Sequence, residues 1–438
     1  MVGKQSKLRS DSKSPRPSIQ QVVLLVILVS FAAKLALGYL IRDSFFSRGN
    51  SFGPLNAIAR NIVRNFEYAQ QPGIPSVDYE PLYPAILAAS YRLFGENWFG
   101  VTFIQGVLFG ATSYLLFLIG RRVRDEVTGL VAALYHSFYP YLFCQTLSVV
   151  DTTQFIFIIV LLLQVVLSDC PRSHIVRYYG STGSLIGLSL LSRGSAIAML
   201  PPIIVYALFK GRGKVMLKGL AIMVGATAIV LAPWLTRNYR YAKMPIISTH
   251  GPFGLWQGNN EFSYEYLRNN ISLDSIYALN PPPRIYQENP LKPRPPKEAV
   301  KVAEKYKAAA FRFMRENPKE FIKLCWIKCV KFWSWTYNGY SPSKSSYGFG
   351  DHKIRKYVYF LSYVPLLILF LPGFWLLSRQ SQSHFMLFSC TILTYTVAHM
   401  IVIGYTRLRL PLDPLLMILL GIVISRAYSQ AKTAEPVQ

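Results

Sequence analysis

The chain has 438 residues, of which 52% are hydrophobic and 16% are charged, and its mean hydropathy is +0.27. Soluble domains contain about 25% charged residues, so this composition excludes an ordinary soluble protein and indicates an integral membrane protein. The formal net charge is +26. In a membrane protein such an excess of positive charge is expected in cytoplasmic loops and on surfaces that face anionic lipid. The sequence contains no nucleic-acid-binding motif. The five cysteines and six histidines show no metal-site or disulfide spacing.

Apolar segments long enough to approach the ~20 residues of a membrane-spanning helix recur along the chain. A further apolar stretch, residues 181–209, is too long for one untilted span and has Arg193 at its middle. Two short spans that meet at Arg193 would keep this charge out of the bilayer and leave the basic loop 210–214 in the cytoplasm. With these two, the sequence predicts about ten spans and two cytoplasmic termini; the others are 22–41, 98–120, 127–144, 153–167, 219–235, 357–377, 385–403 and 410–424.

This topology divides the chain into five parts. Residues 1–18 are basic and rich in Ser and Pro, which predicts a disordered cytoplasmic tail. Residues 19–236 form an N-terminal transmembrane module whose first outer loop, 42–97, contains an apolar piece at 82–94. That piece is too short to span and is predicted to lie at the interface. The remaining parts are an extracytoplasmic segment at 237–356, C-terminal transmembrane helices at 357–426 and a cytoplasmic tail at 427–438.

The extracytoplasmic segment begins with irregular sequence and ends with a helical pattern. Residues 280–296 are rich in proline and predict an irregular loop. Residues 297–337 then follow a helical pattern that is interrupted at Asn317-Pro318. The second half, 320–335, is basic and amphipathic and contains Trp326 and Trp333. Such a helix can lie on an anionic membrane surface or pack on its own domain, and periodicity does not separate the two.

Four carboxylates are predicted to lie in apolar surroundings at the outer face. Asp78 and Glu80 stand at i, i+2 in an extended segment, so both side chains are expected to point the same way. Such a pair can hold a divalent cation such as Mg²⁺ or Mn²⁺, together with Asp151, or supply a general base; the alternative is an ordinary polar loop. Asp151 precedes an apolar span and either caps the helix or takes part in chemistry. Asp43 directly follows the first span and is either a solvated terminus or functional.

Four arginines are predicted on the same outer side: Arg193, Arg237, Arg407 and Arg409. Arginine binds phosphate with two parallel hydrogen bonds and stays charged, which suits it to a phosphate-linked lipid; the alternative is snorkelling to lipid headgroups. Acids that can act as bases, beside cations that can bind phosphate, indicate chemistry on a phosphate-linked substrate at the membrane surface.

Several motifs, in this order along the chain, resemble the GT-C glycosyltransferases. They are YEPLYPAILAASYRLFG at 79–95, GLSLLSRG at 187–194, APWLTRNYRYAKMPIISTHGPFGLWQGNN at 232–260, FRFMRENPKEFIKLCWIKCVKFW at 311–333 and RLRLPLDPLL at 407–416. The most similar group contains the protein O-mannosyltransferases and lipid A aminoarabinose transferases (glycosyltransferase family 39). The resemblance implies an all-α polytopic membrane protein with a sizeable extracytoplasmic segment before the last three spans.

The same resemblance implies an activity. Such enzymes transfer a sugar, here a hexose or pentose, from a polyprenyl-phosphate or dolichyl-phosphate carrier to a lipid, glycan or protein acceptor. The reaction is expected on the extracytoplasmic face of the cell (inner) membrane. An acid in the first outer loop is expected to be catalytic, with Asp151 assisting.

One position departs from the pattern of the family. Ser51, Phe52 and Gly53 stand where the family carries an acid at the start of a loop helix. Asp78, Glu80 or Asp43 would then have to supply the missing carboxylate. The alternatives are a non-catalytic protein that binds or translocates the lipid carrier, and a degenerate GT-C scaffold. A transporter would show two related halves, which the sequence lacks, so the enzyme is favoured.

Overall fold

The computed structural model describes residues 18–46, 53–168, 172–210, 213–271, 273, 292–336 and 352–434. Almost all of the predicted N-terminal tail, most of the proline-rich loop, the end of the C-terminal tail and the positions Ser51 and Phe52 lie outside these residues. The helices are α1 (Ile19–Leu40), α2 (Gly53–Asn65), α3 (Leu82–Phe94), α4 (Trp98–Val123), α5 (Glu126–Phe138), α6 (Pro140–Gln145), α7 (Thr152–Val166), α8 (Ile175–Ser192), α9 (Leu200–Lys210), α10 (Gly213–Ala242), α11 (His250–Gln257), α12 (Ser263–Arg268), α13 (Pro296–Glu316), α14 (Pro318–Phe332), α15 (His352–Gln380), α16 (Gln382–Ile401), α17 (Thr406–Arg409) and α18 (Asp413–Ala434). A short antiparallel hairpin of β1 (Ala69–Gln71) and β2 (Ile74–Pro75) lies between α2 and α3.

The all-α polytopic architecture is confirmed. Within the described residues, six helical segments are long and apolar enough to cross a membrane: α1, α4, α10, α15, α16 and the combined segment of α17 and α18. The other predicted spans fall on shorter helices. The span predicted at 127–144 is divided into α5 and α6, since Pro140 lacks an N–H and begins a new helix. The total of ten spans stays a prediction.

The predicted break at Arg193 is confirmed. Helix α8 ends at Ser192, and Arg193 has an extended backbone with φ −159° and ψ 128°. A 3-10 turn, Gly194–Met199, then leads into α9. The charged side chain therefore lies between two helices, where it reaches polar partners instead of acyl chains.

The main core lies among the spans. Helix α8 packs along α10, α4 packs along α5, and α18 packs between α5 and α15. The first turns of α18 are enclosed, with Leu415, Leu416 and Met417 fully buried. Close approach of α4 and α5 depends on Gly129, because a Cβ there would lie 2.3 Å from the carbonyl oxygen of Phe117. These contacts fix the ends of the spans that carry the candidate site.

The first outer loop forms a small packed unit on the spans. Its core includes Phe45, Ile58, Tyr83 and Leu87 together with Val149, which precedes α7. The apolar piece predicted at 82–94 is a helix with those bounds, α3. This unit holds residues 76–81, which carry Asp78 and Glu80, beside the start of α7 and the end of α8.

Helices α11 to α14 build a second packed unit around Phe253, Trp256, Tyr306 and Leu324. The predicted interruption is confirmed, since α13 ends at Glu316 and α14 begins at Pro318. Helix α14 packs against α12 and α16. The segment 243–249, which joins α10 to this unit, runs past the first outer loop and brings Ser248 and Thr249 to the two loop carboxylates.

Candidate functional site

Glu80 is the loop carboxylate that faces the ends of the spans. Its Oε1 accepts hydrogen bonds from the Ser248 hydroxyl (3.0 Å) and the Gly194 backbone N–H (3.3 Å). Burial raises the pKa of this carboxyl, although the nearby His250 opposes the shift. The Tyr68 hydroxyl donates to the carbonyl of Glu80 (3.1 Å) and holds its backbone in place. A half-buried carboxylate with a raised pKa suits general-base catalysis.

Asp78 has a different environment from Glu80. Its Oδ2 accepts from the Gln70 amide (2.9 Å) and the Ser76 hydroxyl (3.0 Å), and its Oδ1 accepts from the Thr249 hydroxyl (2.9 Å). The side chain is buried. The two carboxylates therefore do not form the pair that their spacing predicts, because residues 76–81 are irregular and not a regular strand. Asp78 ties the loop to the segment after α10.

Asp151, directly before α7, and Arg193, directly after α8, form an ion pair. The Arg193 Nε donates to Asp151 Oδ2 at 2.9 Å, and Nη2 donates to Oδ1 at 2.5 Å. Asp151 makes no side-chain capping bond to the described N–H groups of α7. Both side chains are partly exposed, at 26% for Asp151 and 20% for Arg193. The pair sits beside Glu80, because Gly194, which donates to Glu80, follows Arg193 in the chain.

Arg407 adds a second positive charge to this cluster. It is partly exposed, and its Nη2 lies 3.3 Å from the Tyr405 hydroxyl. The positive charge of Arg407 repels that of Arg193, and the negative charge of Asp151 likewise repels that of Glu80. The structure thus brings together four predicted site residues, Glu80, Asp151, Arg193 and Arg407, as two carboxylates and two guanidinium groups.

Comparison with known proteins finds a matching family profile and solved structures of similar fold. The profile of the dolichyl-phosphate-mannose-protein mannosyltransferase family matches residues 75–236, which include Glu80, Asp151 and Arg193. The oligosaccharyltransferase of Archaeoglobus fulgidus in its apo form superposes with a TM-score of 0.54 at 15% identity, over 93% of this chain and 51% of that chain. The archaeal oligosaccharyltransferase AglB from Archaeoglobus fulgidus, in complex with an inhibitory peptide and a dolichol-phosphate, gives 0.55 at 15% identity over 96% and 52%. The chain therefore shares the fold of these oligosaccharyltransferases.

Two further comparisons complete these findings. ArnT from Cupriavidus metallidurans bound to undecaprenyl phosphate gives a TM-score of 0.45 at 15% identity, over 94% of this chain and 78% of that chain. No curated protein matches the chain by sequence. The chain spans about half the length of the oligosaccharyltransferases that it matches.

Arg409 lies away from the cluster. Its side chain is fully buried, and Nε and Nη2 donate to Asp413 Oδ1 (2.9 Å) and Oδ2 (3.3 Å). Nη1 donates to the Tyr359 hydroxyl (2.9 Å), and the guanidinium lies 3.4 Å from the centre of the Tyr363 ring. These partners enclose the cation, so Arg409 stabilises the packing of α15 against α18 and does not reach a phosphate.

Arg237 joins α10 to the first outer loop. Its Nη1 donates to the carbonyl of Ser76 (2.5 Å) and its Nη2 to the carbonyl of Tyr68 (3.0 Å). The guanidinium also lies over the rings of Tyr68, Trp234 and Tyr241, at 5.1, 4.8 and 5.0 Å. It borders an open cavity of about 510 Å³ between the loop and α10. These contacts assign Arg237 a structural role in placing residues 76–81.

Asp43 is not part of the cluster. Its side chain is 91% exposed in a 3-10 turn after α1, and its recorded ion-pair partner is the adjacent Arg42 at 3.8 Å. An exposed carboxylate of this kind fits the solvated terminus that the sequence left open as an alternative.

The carboxylates do not fit a resident divalent cation. Within the described part of the chain, no group of three or more His, Cys, Asp or Glu lies close enough to hold a metal ion. Asp151 is engaged by Arg193, and both oxygens of Asp78 accept hydrogen bonds from neutral donors. The Mg²⁺ or Mn²⁺ expected for Asp78, Glu80 and Asp151 therefore finds no prepared ligand set among these residues.

Sequence reasoning missed the partners that set the environment of Glu80. Ser248 lies 168 positions away in the chain and Gly194 lies 114 away. Gly194 is the last residue of the motif at 187–194, and Ser248 lies within the motif at 232–260. Their membership of these motifs was the only sequence signal that could have pointed to them. His250, whose ring lies 5.2 Å from that of Tyr79, belongs to the same group.

Proposed function

We propose that this chain is a membrane glycosyltransferase that moves a sugar from a polyprenyl-phosphate or dolichyl-phosphate carrier to a hydroxyl acceptor on the extracytoplasmic face. The observation that carries the proposal is the position of Glu80 beside the Asp151–Arg193 pair and Arg407. A candidate base and two candidate phosphate-binding groups meet there at the edge of the membrane, where a lipid-linked phosphate would lie.

The reaction would proceed by direct displacement at the anomeric carbon. Glu80 takes the proton of the acceptor hydroxyl, and the acceptor oxygen attacks the anomeric carbon from the face opposite the phosphate. The bond from that carbon to the phosphate oxygen breaks, and the phosphate leaves with the electron pair. The configuration at the anomeric carbon inverts. Positive charge from Arg193 and Arg407 stabilises the phosphate as it leaves.

Arg193 has donors left for a phosphate while it is held by Asp151. A guanidinium carries five N–H donors, and the ion pair uses two of them. Asp151 fixes the orientation of the planar group, which is the role expected of a positioning residue. Gly194 donates to Glu80 and directly follows Arg193, so the break between α8 and α9 positions both groups.

The nature of the donor is supported by the known proteins that the chain resembles. The matching family profile describes proteins named for dolichyl-phosphate-mannose, and the AglB structure contains a dolichol-phosphate. A hexose or pentose on such a carrier is therefore the donor class to test, and lipids, glycans and proteins are the acceptor classes.

The proposal is tested by reconstituting the full chain in vesicles with a panel of radiolabelled polyprenyl-phosphate hexoses and pentoses. We expect one donor to lose its label from the lipid fraction with the wild type and to keep it with Glu80→Gln. Binding of a donor without consumption of any member of the panel would instead establish a non-catalytic carrier-binding protein or scaffold.

A further inference from the structure

One face of α14 is apolar, basic and exposed. Ile322, Trp326 and Val330 follow each other at four-residue spacing and are 68%, 69% and 47% exposed. Lys319 and Lys323, also exposed, stand beside Ile322 on the same part of the helix. Exposed apolar residues in one row, bordered by charges, mark an interaction surface. We call these five residues the outer face of α14.

The opposite face of α14 is buried and attaches the helix to the end of a span. Leu324, Lys328 and Phe332 are fully buried. The Phe332 ring lies 5.3 Å from the His399 ring, and Lys328 Nζ donates to the carbonyl of Ile401 at 3.0 Å. Because His399 and Ile401 form the last turn of α16, α14 is attached at the end of a membrane-spanning helix.

The surface beyond α14 continues into a lipid-facing helix. Trp335 follows α14 and is 58% exposed. The adjacent carbonyl of Ser334 accepts a hydrogen bond from the Tyr359 hydroxyl of α15 at 3.0 Å. On either side of Tyr359, α15 exposes Tyr357 and Leu361 at 67% and 70%. An exposed apolar surface that is continuous with a spanning helix has membrane lipid as its neighbour.

We propose that the outer face of α14 binds the membrane surface, with its apolar residues in the headgroup layer and its two lysines against the phosphates of anionic lipids. Tryptophan suits this depth because its ring is apolar while its N–H is polar. The lysines supply the attraction to anionic lipid. This contact would anchor the unit formed by α11 to α14, and it does not depend on the proposed catalytic activity.

The test uses the full chain in nanodiscs of phosphatidylcholine, with or without phosphatidylglycerol, and measures amide hydrogen exchange in α14. Two lysines at a charged membrane surface supply about 1 kcal/mol each, so anionic lipid should slow exchange up to ~30-fold in the wild type. The double variant Lys319→Gln/Lys323→Gln should lose this effect. The matched control is Lys297→Gln/Lys301→Gln on α13, which removes two exposed charges at the same spacing and should keep it.

A second readout tests contact with the acyl region. Phosphatidylcholine brominated near the headgroup should quench part of the tryptophan fluorescence, and Trp326→Phe should remove that part. The proposal is overturned if brominated lipid quenches the wild type and Trp326→Phe equally. It is also overturned if the two lysine double variants respond alike to anionic lipid.

Discussion

The enclosed pair of Arg409 and Asp413 gives a prediction about stability that opposes a role in phosphate binding. Both side chains are 0% exposed and share two hydrogen bonds. Replacement of Arg409 by Met leaves the Asp413 carboxylate buried without its counter-charge. Removing one partner of a buried ion pair lowers the free energy of unfolding by about 3–5 kcal/mol. This range includes the loss of the hydrogen bond from Arg409 to Tyr359.

The double variant Arg409→Met/Asp413→Leu removes both charges together. Since paired apolar replacement of a buried ion pair is often neutral, we expect it to recover most of the stability that the single variant loses. The assay is equilibrium unfolding in detergent micelles, followed by near-ultraviolet circular dichroism, with the partly exposed Arg407→Met as the control that loses much less. Unchanged stability in Arg409→Met, together with a raised KM for the lipid donor, would refute the structural role.

Three other predictions concern topology, a buried amine and the pH profile. In intact cells, a membrane-impermeant thiol reagent should label an introduced Lys301→Cys and not Lys214→Cys; the reverse pattern would contradict the predicted orientation. Burial lowers the pKa of Lys328 to about 7 from 10.5, so the unfolded chain binds more protons between those values. The free energy of unfolding should therefore rise with pH across that window by up to roughly 1.4 kcal/mol per pH unit. The free energy of unfolding of Lys328→Met should not show this rise. Burial raises the pKa of Glu80 above the ordinary 4.5, so under its proposed role as the base kcat should fall as pH drops through that raised value, and a flat profile would count against the role.

Local features of the fold were predictable from the sequence because they follow from local physics. The break at Arg193 follows from the cost of a charge within a span and from the charge of the next loop. The end of α13 before Asn317-Pro318 follows from the missing N–H of proline. The bounds of α3 follow from an apolar run that is too short to cross a bilayer.

The candidate site was predictable only in part. Residue type identified the acids and arginines but did not show which of them are enclosed. Asp78 and Glu80 are two positions apart and have different partners, since segments more than 100 residues away supply the donors to the Glu80 side chain and the Thr249 donor to Asp78. Arg407 and Arg409 look equivalent in the sequence. The i, i+4 spacing of Arg409 and Asp413 was the one signal that could have identified their pairing.

The central claim is that Glu80 is the base of a lipid-phosphate-dependent sugar transfer, and its most direct test is turnover of the Glu80→Gln variant in reconstituted vesicles. Loss of a general base should lower kcat by ~10²–10⁴-fold while binding of the lipid donor changes little. The exposed Asp43→Asn variant is the control and should keep wild-type turnover. Wild-type turnover in Glu80→Gln, with turnover abolished in Asp43→Asn, would contradict the account.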